Sequence, residues 1–215
     1  SGLELLKEVK KQQYRPRFLV FSAHTKKHAQ ITIDCLLAGG SDYICKPQSD
    51  PTLQNLEQEL IDKLTILSTT SHVQTSCPPV FEHSLPPKLI CIATSTGGPD
   101  TLKHLLLRVK SDFSIPILIV QHMPPLFTSL LSQTLSRQTE HTILEAKEQG
   151  EIQKNSMILA RGGTHLIVER KQNHYVYRSS NEPPIHGLRP AADLPPTGHG
   201  MNLAETSSRP GALPG

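Results

Sequence analysis

A serine and a histidine stand at the ends of two apolar stretches near the middle of the sequence. Ser95 follows the stretch 89–94 (LICIAT), and His122 follows the stretch 117–121 (ILIVQ). A hydroxyl activated by an imidazole base is the reacting pair of serine hydrolases, provided that the two side chains reach hydrogen-bonding distance. The residue types therefore predict acyl transfer, with Ser95 as the nucleophile and His122 as its base.

The residues after Ser95 are typical of a turn that opens a helix. Gly97 and Gly98 permit close approach of backbone N–H groups, and Pro99 suits a first helical turn. A helix N-terminus exposes N–H groups and a positive dipole end, so Thr96, Gly97 and Gly98 are candidate donors to a developing oxyanion. A phosphate-binding glycine turn is the alternative interpretation, although the lysine of a P-loop is absent here.

Both side chains are expected at the ends of parallel strands. Apolar runs predict strands at 88–92 and 115–121, with a helix at 100–109 between them. Such a unit is a right-handed crossover, so Ser95 and His122 lie at the same rim of the sheet, where open α/β sheets bind ligands. A helix at 127–136 and short strands at 142–146, 156–160, 165–169 and 174–178 follow, the last two as a hairpin.

The first part of the chain repeats this alternation of helix and strand. Helices are predicted at 3–13 and 26–38 and strands at 17–22 and 43–45, which is typical of a parallel α/β unit. One apolar helix face then follows, formed by Leu53, Leu56, Leu60, Leu64 and Leu67. The segment 68–87 is rich in Ser, Thr and Pro, and predicts a linker.

Composition excludes several classes of protein. The net charge of +3, without a dense Lys/Arg stripe, argues against a nucleic-acid partner. No apolar run approaches the ~18 residues that span a bilayer, and the first residues do not form a signal peptide, so we expect a cytoplasmic protein without membrane insertion. The four cysteines and eleven histidines lack zinc-site spacing, which predicts reduced thiols and no metal.

Four stretches, taken in order along the chain, resemble a single known family. They are 93–99 (ATSTGGP), 119–125 (IVQHMPP), 160–166 (ARGGTHL) and 187–193 (GLRPAAD). With them, the region from about 86 to 193 resembles the protein-glutamate methylesterases of bacterial chemotaxis, the CheB family. The resemblance implies hydrolysis of glutamate methyl esters and deamidation of glutamines on methyl-accepting chemotaxis receptors, with no cofactor.

The same resemblance implies roles for individual residues. Ser95 matches the nucleophile of the family, His122 matches its base, and His165 matches a histidine near the site. An ordinary loop histidine is the alternative for His165, because spacing alone does not determine its chemistry.

The N-terminal part resembles the later half of the receiver domain that precedes the esterase in family members. The stretches 19–22 (LVFS) and 44–47 (ICKP) carry this likeness. It implies that Ser22 is the switch hydroxyl and Lys46 the phosphate-sensing lysine, since a cation at a strand end is placed to meet a phosphoryl oxygen. A solvated lysine is the alternative. The phosphoacceptor aspartate would fall before Ser1, and the histidine kinase of chemotaxis would be the receiver's partner.

The third member of the triad is not recognisable. The family places an aspartate in a Gly-Met-Gly-x-Asp-Gly turn, whereas 197–202 (TGHGMN) ends in Asn202. Asp193 and Asp100 are other candidates, but Asp100 is better explained as a first-turn carboxylate favoured by the helix dipole. Loss of the orienting carboxylate lowers the rate by about 10⁴ in serine proteases, so we expect weak or absent activity.

The sequence thus predicts a doubly wound, mostly parallel three-layer α/β fold, preceded by a partial flavodoxin-like receiver unit. We expect the receiver half at 1–50, a helix and linker at 51–87, an incomplete catalytic domain at 88–193 and an irregular tail at 194–215. The principal hypothesis is an impaired methylesterase. An inactive signalling or binding module that docks on a receptor or kinase is one alternative, and phosphate or nucleotide binding at Gly97 and Gly98 is another.

Overall fold

A computed structural model describes most of the chain, which divides into two compact units, 1–87 and 88–215. The described residues are 2–12, 16–23, 25–46, 53–69, 87–172, 174–184, 189–190 and 200–201. Most of the predicted linker therefore lies outside the described residues. None of the helices in these ranges is both long and apolar enough to cross a membrane.

The first unit alternates helix and strand, as the sequence predicts. Its elements are α1 (Gly2–Val9), β1 (Leu19–Ser22), α2 (Lys26–Leu37), β2 (Asp42–Cys45) and α3 (Leu53–Thr69). Strands β1 and β2 pair in parallel, from Leu19 opposite Asp42 to Ser22 opposite Cys45. Helix α2 begins after Thr25, whose Oγ1 accepts the N–H of His28 at 3.3 Å and so satisfies one free donor of the first turn.

Helix α3 is held to β2 by a lysine. The Nζ atom of Lys63 donates to the carbonyl oxygen of Tyr43 at 2.6 Å and to Oδ1 of Asp42 at 3.1 Å. The same Nζ lies 5.0 Å from the centroid of the Tyr43 ring. The predicted apolar face is only partly correct, because Leu67 is buried whereas Leu64 is 49% exposed. Contacts of the lysine supplement the incomplete apolar seam.

The described residues of the second unit form two four-stranded sheets. Its elements are β3 (Ile90–Thr94), α4 (Gly98–Leu106), β4 (Ile117–Gln121), α5 (Pro125–Gln138), β5 (Ile143–Glu145), β6 (Gln149–Ile152), β7 (Met157–Leu159), β8 (His165–Lys171), β9 (His174–Ser180) and β10 (Gly200–Met201). The first sheet has the order β3-β4-β7-β5 with every pairing parallel, and the second has the order β10-β8-β9-β6 with every pairing antiparallel.

The parallel sheet is the central layer of the second unit. Helices α4 and α5 pack against its strands β3 and β5. Leu118 and Val120 of β4 instead share an apolar cluster with Leu166 and Val168 of β8. Alternate residues of a strand face opposite sides, so the antiparallel sheet covers the second face. The predicted mostly parallel α/β architecture is confirmed, and the second covering layer seen among the described residues is a sheet.

Several boundaries differ from the sequence-based expectation. Strand β3 runs to Thr94, two residues beyond the predicted end, and so delivers Ser95 directly from the sheet. Strand β6 was not predicted, because its QGEI sequence has no β-branched run; it forms by pairing with β9. The predicted 165–169 and 174–178 hairpin is confirmed as β8 and β9. Gly200–Met201 pairs with β8, although an irregular tail was expected there.

Candidate active site

Ser95 and His122 emerge side by side from neighbouring parallel strands. Thr94 of β3 and Gln121 of β4 form the last register pair, and Ser95 and His122 are the next residues of their strands. The N–H of His122 donates to the carbonyl oxygen of Thr94 at 3.4 Å, which keeps the two backbones adjacent at the rim. Both residues are exposed. The shared rim expected from the crossover is therefore present.

The turn after Ser95 has the form expected of a helix start. Gly97 adopts φ 73°, a left-handed conformation that favours glycine, and α4 begins at Gly98 with Pro99 in its first turn. The N–H of Gly98 donates to the carbonyl oxygen of Ser95 at 2.8 Å. That N–H is thus engaged within the turn, and the oxyanion roles of Thr96, Gly97 and Gly98 remain predictions.

Gln121 is a site residue that the sequence did not single out. Its side chain is 3% exposed; Oε1 accepts from Oγ1 of Thr94 at 2.7 Å, and Nε2 donates to the carbonyl oxygen of Ser95 at 3.1 Å. A Cβ added at Gly98 would overlap this amide and lie 2.9 Å from Cβ of Thr94. A glutamine ending an otherwise apolar strand, next to His122, was the available signal.

A glycine loop closes against the segment that follows His122. A Cβ added at Gly162 would overlap the carbonyl oxygen of Met123 and lie within 3 Å of backbone atoms of Pro124 and Pro125. The N–H of Gly162 donates to Oγ1 of Thr128 at 3.0 Å. Loop 161–164 therefore lies at the same rim as His122.

His165 follows this loop as the first residue of β8. Its side chain is 0% exposed, and its Nε2 lies 3.2 Å from the carbonyl oxygen of Pro183. The loop before it contacts residues 123–125 at the rim, and His165 is the residue that directly follows this loop. Its complete burial favours support of the loop over contact with a substrate. A site role for His165 remains a prediction.

The candidate carboxylates are described in part. Asp100 lies in the first turn of α4, as expected, and its Oδ1 is 3.6 Å from Nε2 of His104 one turn later. Asp193 and Asn202 lie outside the described residues. Among the residues that the structure does describe, no group of three or more His, Cys, Asp or Glu side chains is arranged to hold a metal ion.

The expected receiver residues Ser22 and Lys46 lie next to each other at the carboxyl ends of β1 and β2. Ser22 ends β1, Lys46 directly follows β2, and the N–H of Lys46 donates to the carbonyl oxygen of Ser22 at 2.7 Å. The Lys46 side chain is exposed, whereas Ser22 is 4% exposed and its hydroxyl contacts Oγ1 of Thr32 and the carbonyl oxygen of His28. The switch roles of both residues remain predictions.

Cys91, on the strand that leads to Ser95, is a poor nucleophile near neutral pH. Burial raises the pKa of the Cys91 thiol to about 11, so the thiol of this β3 residue is protonated near neutral pH. Because the thiolate is the nucleophilic form, the chemistry at this strand end depends on the serine rather than on Cys91.

Comparisons with known proteins find one matching family. Residues 90–195 match the family model described as CheB methylesterase. Among curated relatives, a "Protein-glutamate methylesterase/protein-glutamine glutaminase" of Trichodesmium erythraeum is 32% identical over 210 residues, covering 90% of this chain and 60% of the relative. A second of that name, numbered 2, from Koribacter versatilis is 33% identical over 212 residues, covering 90% and 58%.

A solved structure also matches part of this chain. The CheB methylesterase catalytic domain of Thermotoga maritima is 32% identical, with a TM-score of 0.47 over 50% of this chain and 57% of that one. The chain spans about three fifths of the length of the curated relatives it matches.

Proposed function

Because residues 90–195 form a domain of the CheB methylesterase family, we propose that this site hydrolyses glutamate γ-methyl esters on chemotaxis receptors. The observation that carries the proposal is the pairing of Thr94 with Gln121, since it brings Ser95 and His122 out of adjacent parallel strands at one rim. A nucleophile and its base must come within hydrogen-bonding reach to react, and adjacent strand ends allow this approach.

The proposed reaction proceeds through an acyl-enzyme. Oγ of Ser95 attacks the ester carbonyl carbon while His122 accepts the hydroxyl proton, and the carbonyl oxygen becomes an oxyanion. Backbone N–H groups at Thr96 and Gly97 stabilise that charge. Collapse breaks the bond to the methoxy oxygen, His122 protonates it, and methanol leaves.

Water completes the cycle. His122 removes a proton from the water that attacks the acyl carbon, and the bond to Oγ of Ser95 breaks with return of a proton to Oγ. The products are a glutamate carboxyl group and free enzyme. With glutamine as the substrate, ammonia leaves in place of methanol, which gives the deamidation that the names of the relatives include.

The rate is expected to be low. The stretch 197–202 resembles the family's aspartate turn only faintly and ends in Asn202. An imidazole without its orienting carboxylate is a much weaker base catalyst, by about 10⁴ in serine proteases. We place the reaction in the cytoplasm, where the methylated receptor helices are expected. Through its receiver-like part, the protein's further partner would be the chemotaxis histidine kinase.

Covalent labelling tests the nucleophile independently of turnover. A fluorophosphonate should label the wild-type chain at Ser95, Ser95→Ala should abolish labelling, and the exposed control Ser114→Ala should not affect it. Methanol release from methylated receptor should follow the same order. Equal labelling of Ser95→Ala and the wild type would refute the assignment. Receptor binding by an unlabelled, inactive wild-type chain would instead identify a docking module.

A further inference from the structure

We propose that Gln121 is a positioning residue that orients the peptide after the nucleophile and so aims the oxyanion donor. This inference rests on the proposed function of the site. Gln121 is the last residue of β4, is 3% exposed and directly precedes His122. A buried amide in this place must be hydrogen-bonded to be tolerated, and the partners it uses belong to the nucleophile segment.

The orientation of the amide is determined by chemistry. The carbonyl oxygen of Ser95 only accepts hydrogen bonds, so the NH₂ end of Gln121 must face it, at 3.1 Å. The hydroxyl of Thr94 then donates to Oε1 at 2.7 Å. One side chain thereby bridges the residue before the nucleophile and the nucleophile's own carbonyl group.

The carbonyl oxygen of Ser95 is held from two directions. Gln121 donates to it from the sheet, and the N–H of Gly98 donates to it from the helix start at 2.8 Å. A trans peptide is planar, with its C=O and N–H pointing in opposite directions. Fixing the carbonyl group of Ser95 therefore aims the N–H of Thr96 away from Gln121 and Gly98.

The glycine at position 98 makes room for this arrangement. A Cβ there would overlap the Gln121 amide, with only 2.9 Å to Cδ. The close approach of the helix start to the amide is thus built into the sequence. If Gln121 only filled space, position 98 would not have to be a glycine to accommodate its amide.

The test separates orientation from folding and from binding. Gln121→Glu keeps the shape and the acceptor oxygen but, assayed at a pH at which the carboxyl group is ionised, replaces the donor to Ser95 with a second acceptor. We expect the maximal rate of fluorophosphonate labelling to fall about 10- to 100-fold, somewhat less than the loss of an oxyanion donor, with little change in the concentration giving half-maximal rate. The matched control is Gln133→Glu, an exposed glutamine on α5, which should label like the wild type.

Two further variants protect the test against misfolding. Thr94→Val removes the contact at Oε1 and a longer hydrogen bond, of 3.5 Å, from the hydroxyl to the carbonyl oxygen of Val120. It leaves the donor to Ser95 in place and should lower the maximal rate less than Gln121→Glu does. Gln121→Met fills the space without a donor and should match Gln121→Glu in rate, with a melting temperature that stays well above the assay temperature. Wild-type labelling rates in both Gln121 variants would overturn the inference and leave the proposed function standing. Absence of labelling in the wild type would overturn both.

Discussion

The hydroxyl of Thr128 donates to Oε1 of Glu145 at 2.7 Å. Thr128 lies in the first turn of α5, and Glu145 ends β5 at the rim of the parallel sheet. The same oxygen of Thr128 accepts the N–H of Gly162 at 3.0 Å. A fully buried hydroxyl therefore ties the glycine loop, the helix that follows His122 and a neighbouring strand end together.

Replacing this hydroxyl should weaken the second unit. In Thr128→Val the N–H of Gly162 and the carboxylate of Glu145 lose the Thr128 hydroxyl, so the free energy of unfolding should fall by about 1–3 kcal/mol. Thr128→Ser keeps the oxygen and is the control, with a smaller loss from the missing methyl group. Urea denaturation measures both. A Val variant as stable as the wild type would show that the hydroxyl does not hold the loop.

Substitutions of Gly97 and Gly98, the two glycines after the nucleophile, should destabilise the protein for different reasons. In Gly98→Ala the added methyl group overlaps the Gln121 amide and crowds Cβ of Thr94. Overpacking of this kind costs about 1–3 kcal/mol of unfolding free energy. Gly97 has open space around it but a left-handed backbone, so Gly97→Asn should be tolerated better than Gly97→Ala. Melting temperatures of the three variants check the order. Equal effects of Asn and Ala at 97 would argue against the backbone explanation.

The thiol of Cys91 should lose its proton only at high pH. Burial raises its pKa from the usual 9.0 to about 11, so alkylation by iodoacetamide should reach half its limiting rate near pH 11 in the folded chain and near pH 9 in urea. The folded state keeps its proton where the unfolded state loses it. The contribution of the protonated Cys91 thiol to the free energy of unfolding is complete below pH 9 and declines as the pH rises to 11.

Peptide mass spectrometry after timed alkylation provides the measurement. Cys91→Val removes the titrating group, so its unfolding free energy should decline less than that of the wild type between pH 9 and 11. The same midpoint for alkylation in native buffer and in urea would contradict the assigned burial.

In the first unit, Lys63 should anchor α3 to β2. Lys63→Met removes the donors to Tyr43 and Asp42 while keeping much of the apolar stem, so amide exchange in β2 should accelerate by about tenfold or more, as expected for the loss of charge-assisted hydrogen bonds. Lys11→Met, at an exposed ion pair with Glu8, is the control and should leave exchange in β2 unchanged. Hydrogen-exchange mass spectrometry resolves the peptides. Equal exchange in both variants would contradict the anchoring role.

The sequence alone determined which residues could react and where they would meet. Ser95 and His122 follow apolar runs separated by a helix, and the handedness of such a unit leaves little choice about their common rim. The strand pattern also identified the β8–β9 hairpin, and the glycine pair indicated the turn before α4, which begins at Gly98, two residues before the predicted start at Asp100. These features depend on local pattern, which is present in the chain before it folds.

Tertiary structure decided the contacts that join distant segments. Strand β6 exists because β9 pairs with it, and Leu64 is exposed because neighbouring elements leave its part of α3 uncovered. The role of Gln121 depends on its reach across the register to Thr94 and Ser95, where its hydrogen bond joins the local turn bond from the N–H of Gly98 to the carbonyl oxygen of Ser95. Hydrogen bonds between residues 26 positions apart follow from strand pairing and have no signature in local spacing.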